Sequence, residues 1–276
     1  MQSKQPKTKI VVIGGTGLIG SKVVAKLNEH GYEAVAASPD TGVNTITGEG
    51  LADVLQGAKV VVDVSNSPSF EESAATEFFR TSTSNLLKAE AEAGVKHHVA
   101  LSVVGTEPLS EMDGIGGYFR AKLLQENLIK ESPIPYSIVH ATQFFEFIKM
   151  IADTSTEGDS VHLPPVKIQP MAADDVAWAV GRAATGLPAN GTIEVAGPEV
   201  LRLDEFVRKG LTARSDPRNV VTDENAGYFG ARVSETTLIP QGKAALGEVR
   251  LDAWLSIPQN VNPPQQPTKT AGAAAR

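Results

Sequence analysis

The stretch Lys9-Ile10-Val11-Val12-Ile13-Gly14-Gly15-Thr16-Gly17-Leu18-Ile19-Gly20 decides the fold class. Its first half is a short apolar run rich in β-branched residues, the pattern of a parallel strand buried on both faces. That run leads straight into glycines at 14, 17 and 20, and then into Ser21 to His30, which has a helical pattern. In such a turn one glycine permits a tight bend, one lets backbone approach a pyrophosphate, and one lets helix and strand pack closely. The N–H groups opening the helix then face phosphate oxygens, aided by the positive end of the helix dipole. A second strand, Glu33 to Ala37, follows at βαβ distance, so the expected ligand is a nicotinamide dinucleotide. An ordinary tight turn remains the alternative. A Walker-type loop is excluded, since no Gly-Lys-Ser/Thr follows.

Beyond this unit, strands and helices alternate. Leu51 to Gln56 reads as a short helix and Lys59 to Val64 as an apolar strand. Glu71 to Ala93 reads as a long amphipathic helix closed by Gly94, followed by a strand from His97 to Val103 and a Gly-rich loop from Gly105 to Gly117. A helix from Tyr118 to Lys130 and a strand from Ile134 to His140 complete the rhythm. This alternation predicts an α/β protein with a doubly wound, Rossmann-type parallel sheet. The expected organisation is a flexible N-terminus over 1–8 and a nucleotide-binding core over 9–150. A smaller substrate-side subregion is expected over 151–257, with a helix at Ala172 to Ala184, a strand at Thr192 to Ala196 and a helix from Asp204, capped by that residue. The Pro-, Gln- and Ala-rich segment 258–276 reads as a disordered tail.

Composition narrows the function classes. A net charge of −7 without a basic stripe argues against nucleic acid as the main partner. The absence of cysteine removes thiolate nucleophiles, disulfides and zinc–thiolate sites, and fits a reducing cytoplasm. Neither a signal peptide nor an apolar run of roughly 20 residues is present, so no membrane role is expected. His97 and His98 do not suggest a metal site, because neighbours on a strand point to opposite faces and no further ligand lies at suitable spacing.

Tyr118 and Lys122 lie one helical turn apart and share a face, just after the strand that carries Ser102. An ammonium beside a phenol favours the phenolate and lowers its pKa from about 10. The phenol can then exchange a proton with a carbonyl or alcohol oxygen while hydride moves at the neighbouring carbon. Such a pair also occurs by chance in helices; the glycine turn and the place in the sheet give it weight.

Together, Gly14 to Gly20 and Tyr118-Phe119-Arg120-Ala121-Lys122 resemble the short-chain dehydrogenase/reductase superfamily in its atypical, NmrA-like branch. Further matches are Asp63-Val64-Ser65-Asn66, placed after the fourth strand, Gln143-Phe144-Phe145-Glu146-Phe147, placed after the sixth, and Asp174-Asp175-Val176-Ala177. The resemblance implies NAD(P)(H) binding, with Tyr118 as general acid/base and Lys122 holding the nicotinamide ribose and tuning the tyrosine. It implies cofactor contacts from Gly14, Thr16, Gly17, Leu18, Ile19 and Gly20, and from Val64, Ser65 and Asn66. Ser102 stands where relatives carry a catalytic serine, or is a hydroxyl satisfied at the strand end.

Ser38 replaces the carboxylate that NAD-specific sites place about 20 residues past the glycines, which favours NADP(H) over NAD(H); a turn-forming role before Pro39 is the alternative. On the substrate side the expected residues are His140, Gln143 and Phe144, with His140 alternatively a polar strand terminus. Phe144, Phe145, Phe147, Tyr228 and Phe229 read either as an apolar pocket or as core, and Asp174 and Asp175 as helix caps. The leading expectation is an oxidoreductase acting on a small carbonyl, quinone or related apolar metabolite. Rival readings are an NAD(P)-binding redox sensor and an epimerase or isomerase. The expected partner is a small molecule, and a homodimer is compatible with the sequence.

Overall fold

In the computed structural model residues 7–261 are described. Residues 1–6 of the expected flexible N-terminus and 262–276 of the expected tail lie outside them. Seven parallel strands form the central sheet: β1 (Lys9–Ile13), β2 (Glu33–Ala37), β3 (Val60–Asp63), β4 (His97–Val103), β5 (Tyr136–Ala141), β9 (Gly191–Ala196) and β12 (Ala245–Leu246). Their spatial order is β2-β1-β3-β4-β5-β9-β12. The short strands β6 (Thr156–Glu157), β7 (Ser160–Leu163) and β11 (Asn219–Thr222) make a second sheet, and β8 (Lys167–Ile168) pairs with β10 (Leu201–Arg202).

Strand alternation explains the continuous apolar runs. Ile10 and Val12 face one layer, with α1 (Leu18–Glu29) and α7 (Ala173–Thr185), through Val23, Leu27, Val176 and Val180. Val11 and Ile13 face the opposite layer with Leu51 and Leu55 of α2 (Leu51–Leu55) and Leu86 of α3 (Glu72–Ala93). Both faces are covered, so polar residues have no place in the run. Each fully buried Val or Ile side chain contributes about 1.5–3 kcal/mol.

The remaining helices are α4 (Thr106–Ser110), α5 (Gly116–Glu131), α6 (Ile148–Thr154), α8 (Leu203–Ala213), α9 (Leu251–Leu255) and α10 (Pro258–Val261). The loop expected over Gly105 to Gly117 thus contains α4, and the segment expected to be disordered from 258 begins with α10, whose Val261 is buried. The boundary at 150 does not divide the molecule, because β9 and β12 join the main sheet. A single apolar cluster also runs from Phe79 and Tyr118 through Phe145 to Phe206 and Trp254.

No strand intervenes between β2 and β3; a 3-10 turn at Pro39–Thr41 and α2 fill that span. Asp63 therefore ends the third strand and Gln143 follows the fifth, not the fourth and sixth.

Two expected helix caps are also different. The α7 helix starts after Ala172, and its Ala173 N–H donates to the Glu146 carboxylate at 3.1 Å. Asp174 instead pairs with Lys22 at 2.7 Å, and Asp175 accepts the N–H of Val249 at 2.9 Å. In α8 the N-cap position is Arg202, and Asp204, one residue inside the helix, accepts from the Arg202 guanidinium at 2.9 Å.

Candidate functional site

β2 and β3 lie on opposite sides of β1, so the chain's winding reverses between β1 and β3. In an open α/β sheet this opens a crevice at the strands' C-terminal ends. Gly14 turns there with φ +75°, a conformation that costs glycine nothing. Its N–H donates to Ala37 O at 2.9 Å, which ties the turn to β2. A methyl at Gly20 would collide with the carbonyl oxygen of Gly14, so this glycine lets α1 press onto the turn. At Gly17, by contrast, a methyl would meet only Gly14 O at 3.3 Å and otherwise open space.

The first bond of the helical ladder in α1 runs from Ser21 N–H to Gly17 O at 3.0 Å. The N–H groups of Leu18, Ile19 and Gly20 precede it and have no helical acceptor. This open turn borders a cavity of about 610 Å³. Gly14, Thr16, Gly17, Leu18, Ile19 and Gly20 line it, as do Ser38 and the facing residues Val64, Ser65 and Asn66. Thr16 Oγ1 donates to Ser38 Oγ at 3.0 Å, and the Ser38 N–H donates to Thr41 Oγ1 at 2.9 Å.

Tyr118, Lys122 and Ser102 line the same cavity, but with different partners from those expected. Tyr118 lies at the start of α5, and its ring is buried against Phe70, Phe79 and Phe119. Its hydroxyl donates to Asn66 Oδ1 at 2.8 Å. That oxygen also accepts the Ser67 N–H at 2.9 Å, which fixes the orientation of the amide.

Lys122 is 2% exposed, and its Nζ donates to Leu101 O at 2.9 Å and to Gln125 Oε1 at 2.6 Å. It lies 4.7 Å from the centre of the Phe79 ring, which also packs edge-on to Tyr118. The expectation that Lys122 lowers the tyrosine's pKa is overturned. Burial pushes the Tyr118 phenol well above its ordinary 10, and two of the Lys122 N–H donors go to Leu101 and Gln125. Lys122 itself is pushed down to about 8 by burial, with the charges of Asp63 and Glu126 opposing.

Ser102 is also corrected. Its hydroxyl donates to Glu126 Oε1 at 2.6 Å, so its one proton is not available to a substrate oxygen. Burial alone would raise the Glu126 carboxyl, but hydrogen bonds from His140 and Ser102 and the charges of His140 and Lys130 hold it at about 2. It stays ionised and accepts throughout the neutral range.

His140 is not among the residues lining the cavity. Its Nε2 lies 2.8 Å from Glu126 Oε1, so it belongs to the buried pair behind Ser102 and not to the substrate side. Gln143 and Phe144 do line the cavity, and the buried Gln143 Oε1 has no hydrogen-bond partner among the described residues. Phe147, Tyr228 and Phe229 join them, with Phe144 and Phe147 stacked 5.1 Å apart. Phe145 turns away into the core, against Phe206 and Trp254. His97 and His98 take separate partners, Ser137 Oγ at 2.9 Å and the Glu90 carboxylate at 2.8 Å.

Sequence reasoning missed the polar floor of the site. Asp63 accepts from Ser65 Oγ at 2.6 Å and from Gln125 Nε2 at 3.1 Å, linking the β3 loop to Lys122. Two signals were present. Asp63 is a carboxylate ending a buried apolar strand, and Gln125 and Glu126 sit three and four residues after Lys122, on its helical face.

The residues fit a dinucleotide. Gly17 leaves open space where a side chain would stand, and three N–H groups without helical acceptors border it, an arrangement suited to a diphosphate. Residues 14–177, more than half the chain, match a family model described as NAD(P)H-binding. Divinyl chlorophyllide a 8-vinyl-reductase of Cucumis sativus is 32% identical over 173 residues, 52% of this chain and 41% of that protein. Photosystem II assembly factor Ycf39 of Cyanophora paradoxa is 25% identical over 151 residues, 50% of this chain and 46% of that protein. The matches thus span less than half the length of either relative.

Among solved structures, a short-chain dehydrogenase/reductase superfamily protein from Agrobacterium tumefaciens with bound NAD superposes with a TM-score of 0.65. It is 18% identical, and the match covers 90% of this chain and 95% of that one, which shows a shared fold. The chain belongs to the NAD(P)H-binding family and has a Rossmann-type fold, shared with that short-chain dehydrogenase/reductase superfamily protein.

Proposed function

We propose that this protein is an NAD(P)(H)-dependent oxidoreductase that reduces a small, apolar carbonyl or quinone. One observation carries the reading: a single cavity joins the open first turn of α1 to Tyr118 and Lys122 and to an aromatic wall of Phe70, Phe78, Phe144, Phe147 and Phe229. The nicotinamide, when bound, supplies the hydride. As hydride reaches the substrate carbon, the carbonyl π pair moves onto oxygen, and the Tyr118 hydroxyl proton moves to that oxygen.

Tyr118 is protonated at neutral pH, the form that can give a proton in the reductive direction. The ring need not move. Rotation about the C–O bond takes the O–H from Asn66 to the substrate. Lys122 has three N–H donors and uses two on Leu101 and Gln125, leaving one for a ribose hydroxyl.

NADP(H) is the favoured form. Ser38 and Thr16 bring hydroxyls to the β2 end of the cavity, and no carboxylate lines it among the described residues. Among the described residues no helix is long and apolar enough to cross a membrane. The test is NADPH oxidation with a panel of quinones and aldehydes. Turnover that disappears in Tyr118→Phe supports the proposal, and turnover that persists contradicts it.

A redox sensor is the second reading, favoured by one feature: the Tyr118 and Ser102 protons are both donated to protein acceptors. A sensor would bind oxidised and reduced nucleotide with clearly different affinities and turn nothing over.

A further inference from the structure

Ser102 meets the cavity with the opposite polarity from a serine that activates a carbonyl. A hydroxyl has one hydrogen and two lone pairs. The Ser102 hydrogen goes to Glu126 Oε1 at 2.6 Å, an oxygen that His140 Nε2 also approaches at 2.8 Å, while Lys130 approaches the other carboxylate oxygen at 3.2 Å. A carboxylate kept ionised by these neighbours has no proton to give back, so the donor in this pair is the serine. Thr106 Oγ1 lies 3.5 Å from Ser102 Oγ, but its own hydrogen goes to Val103 O at 2.6 Å. Ser102, which lines the cavity, therefore receives no hydrogen bond on Oγ among the described residues and keeps its acceptor capacity. Burying an acceptor against a ligand that cannot donate carries the cost of desolvating it, whereas a matched donor restores the bond.

Ser102 lines the same cavity as Tyr118 and Lys122. Lys122, one helical turn after Tyr118, is anchored on the carbonyl of Leu101, the residue before Ser102. Tyr118 is the hydroxyl with a hydrogen that rotation can redirect to a substrate oxygen, and Ser102 is the hydroxyl without one.

Building on the oxidoreductase reading, we propose that the substrate carries a hydrogen-bond donor, a hydroxyl or an N–H, beside the carbonyl that is reduced, and that Ser102 accepts it. The substrate class is a planar, uncharged aromatic carbonyl with an adjacent donor. Uncharged follows from the lining: among the described residues Lys122 is its only ionisable cation, and most of its hydrogen-bonding capacity is already used inside the protein.

The test uses three probes of nearly equal shape, 2-amino-, 2-methyl- and 2-methoxy-1,4-naphthoquinone. Dissociation constants are measured by calorimetry with saturating NADP⁺ present, so that nothing turns over. The amino compound should bind about five- to tenfold tighter than the methyl compound, the gain of one neutral hydrogen bond. The methoxy compound, which brings an oxygen to the serine's lone pair, should bind more weakly than the methyl one. In Ser102→Ala the amino-to-methyl preference should fall to within about twofold of unity.

An unchanged preference in Ser102→Ala, or a wild-type protein that prefers methyl or methoxy, overturns the proposal. Binding of none of the three overturns it as well. The NADP⁺ titration that precedes each experiment separates the two readings. Failure of NADP⁺ to bind sinks the oxidoreductase reading, whereas NADP⁺ binding with an unchanged preference sinks only the role of Ser102.

Discussion

Replacing Gly17 with alanine separates binding from folding at the phosphate end of the site. Gly17 has a negative φ of −80°, so alanine is tolerated by the backbone, and its methyl would meet only Gly14 O at 3.3 Å. Removing a glycine from the unfolded chain stabilises by about 0.4–1 kcal/mol, which offsets a contact that needs a few tenths of an ångström of relief. Melting temperature should therefore stay within about 3 °C of wild type. The same methyl stands in the open space beside the N–H groups of Leu18 and Ile19.

If it keeps phosphate oxygens from two of these donors, each charge-assisted bond lost costs about 1.5 kcal/mol. The sum, about 3 kcal/mol, weakens dinucleotide binding on the order of 100-fold. Calorimetry with NADP⁺ on folded Gly17→Ala protein reads this directly. Gly20→Ala is the contrast, because its methyl would strike the Gly14 carbonyl and Gly15 Cα, so stability itself should fall. A Gly17→Ala protein that binds NADP⁺ with wild-type affinity would refute the reasoning.

Three further outcomes follow from the geometry. Tyr118→Phe should lower turnover at least about 100-fold while NADPH affinity stays within about threefold, since the ring and its packing are kept; stopped-flow kinetics and fluorescence titration measure the two. His140→Gln should leave the KM for 2-methyl-1,4-naphthoquinone within about twofold and cost about 2 kcal/mol of stability in urea, because His140 supports Glu126 and does not line the cavity.

Stability at acid pH should depend on Glu126. Its folded pKa of about 2 lies below its ordinary 4.5, so its contribution is complete above pH 4.5 and is lost as pH falls toward 2. That contribution is on the order of 3 kcal/mol. Urea titrations at pH 7, 4.5 and 3 should show Glu126→Gln losing less stability on acidification than wild type, and an equal acid dependence would contradict the assignment.

The strands, the glycine turn and the Tyr118/Lys122 spacing were legible because each rests on local periodicity. Lys9 to Ile13 can bury both faces only in a covered parallel sheet, and Gly20 is dictated by contact with a turn six residues away. What escaped depends on contacts between distant segments. Nothing local to Tyr118 shows that Asn66, 52 residues earlier, takes its hydrogen, or that Phe79 packs against both Tyr118 and Lys122. Ser102 looked like a proton donor to the substrate, and His140 like a pocket residue, because each sits near a strand end. Both converge on Glu126, whose role becomes visible only once α5 is laid beside β4 and β5. Phe144, Phe145 and Phe147 illustrate the same limit: adjacent aromatic residues divide between cavity wall and core according to the turn after β5.

The most direct measurement is a crystal structure of the protein with NADP⁺. The account predicts diphosphate oxygens within about 3.2 Å of the backbone nitrogens of Leu18 or Ile19, with the nicotinamide reaching the cavity wall formed by Tyr118 and Lys122. A dinucleotide held elsewhere, with the first turn of α1 facing only solvent, would contradict it.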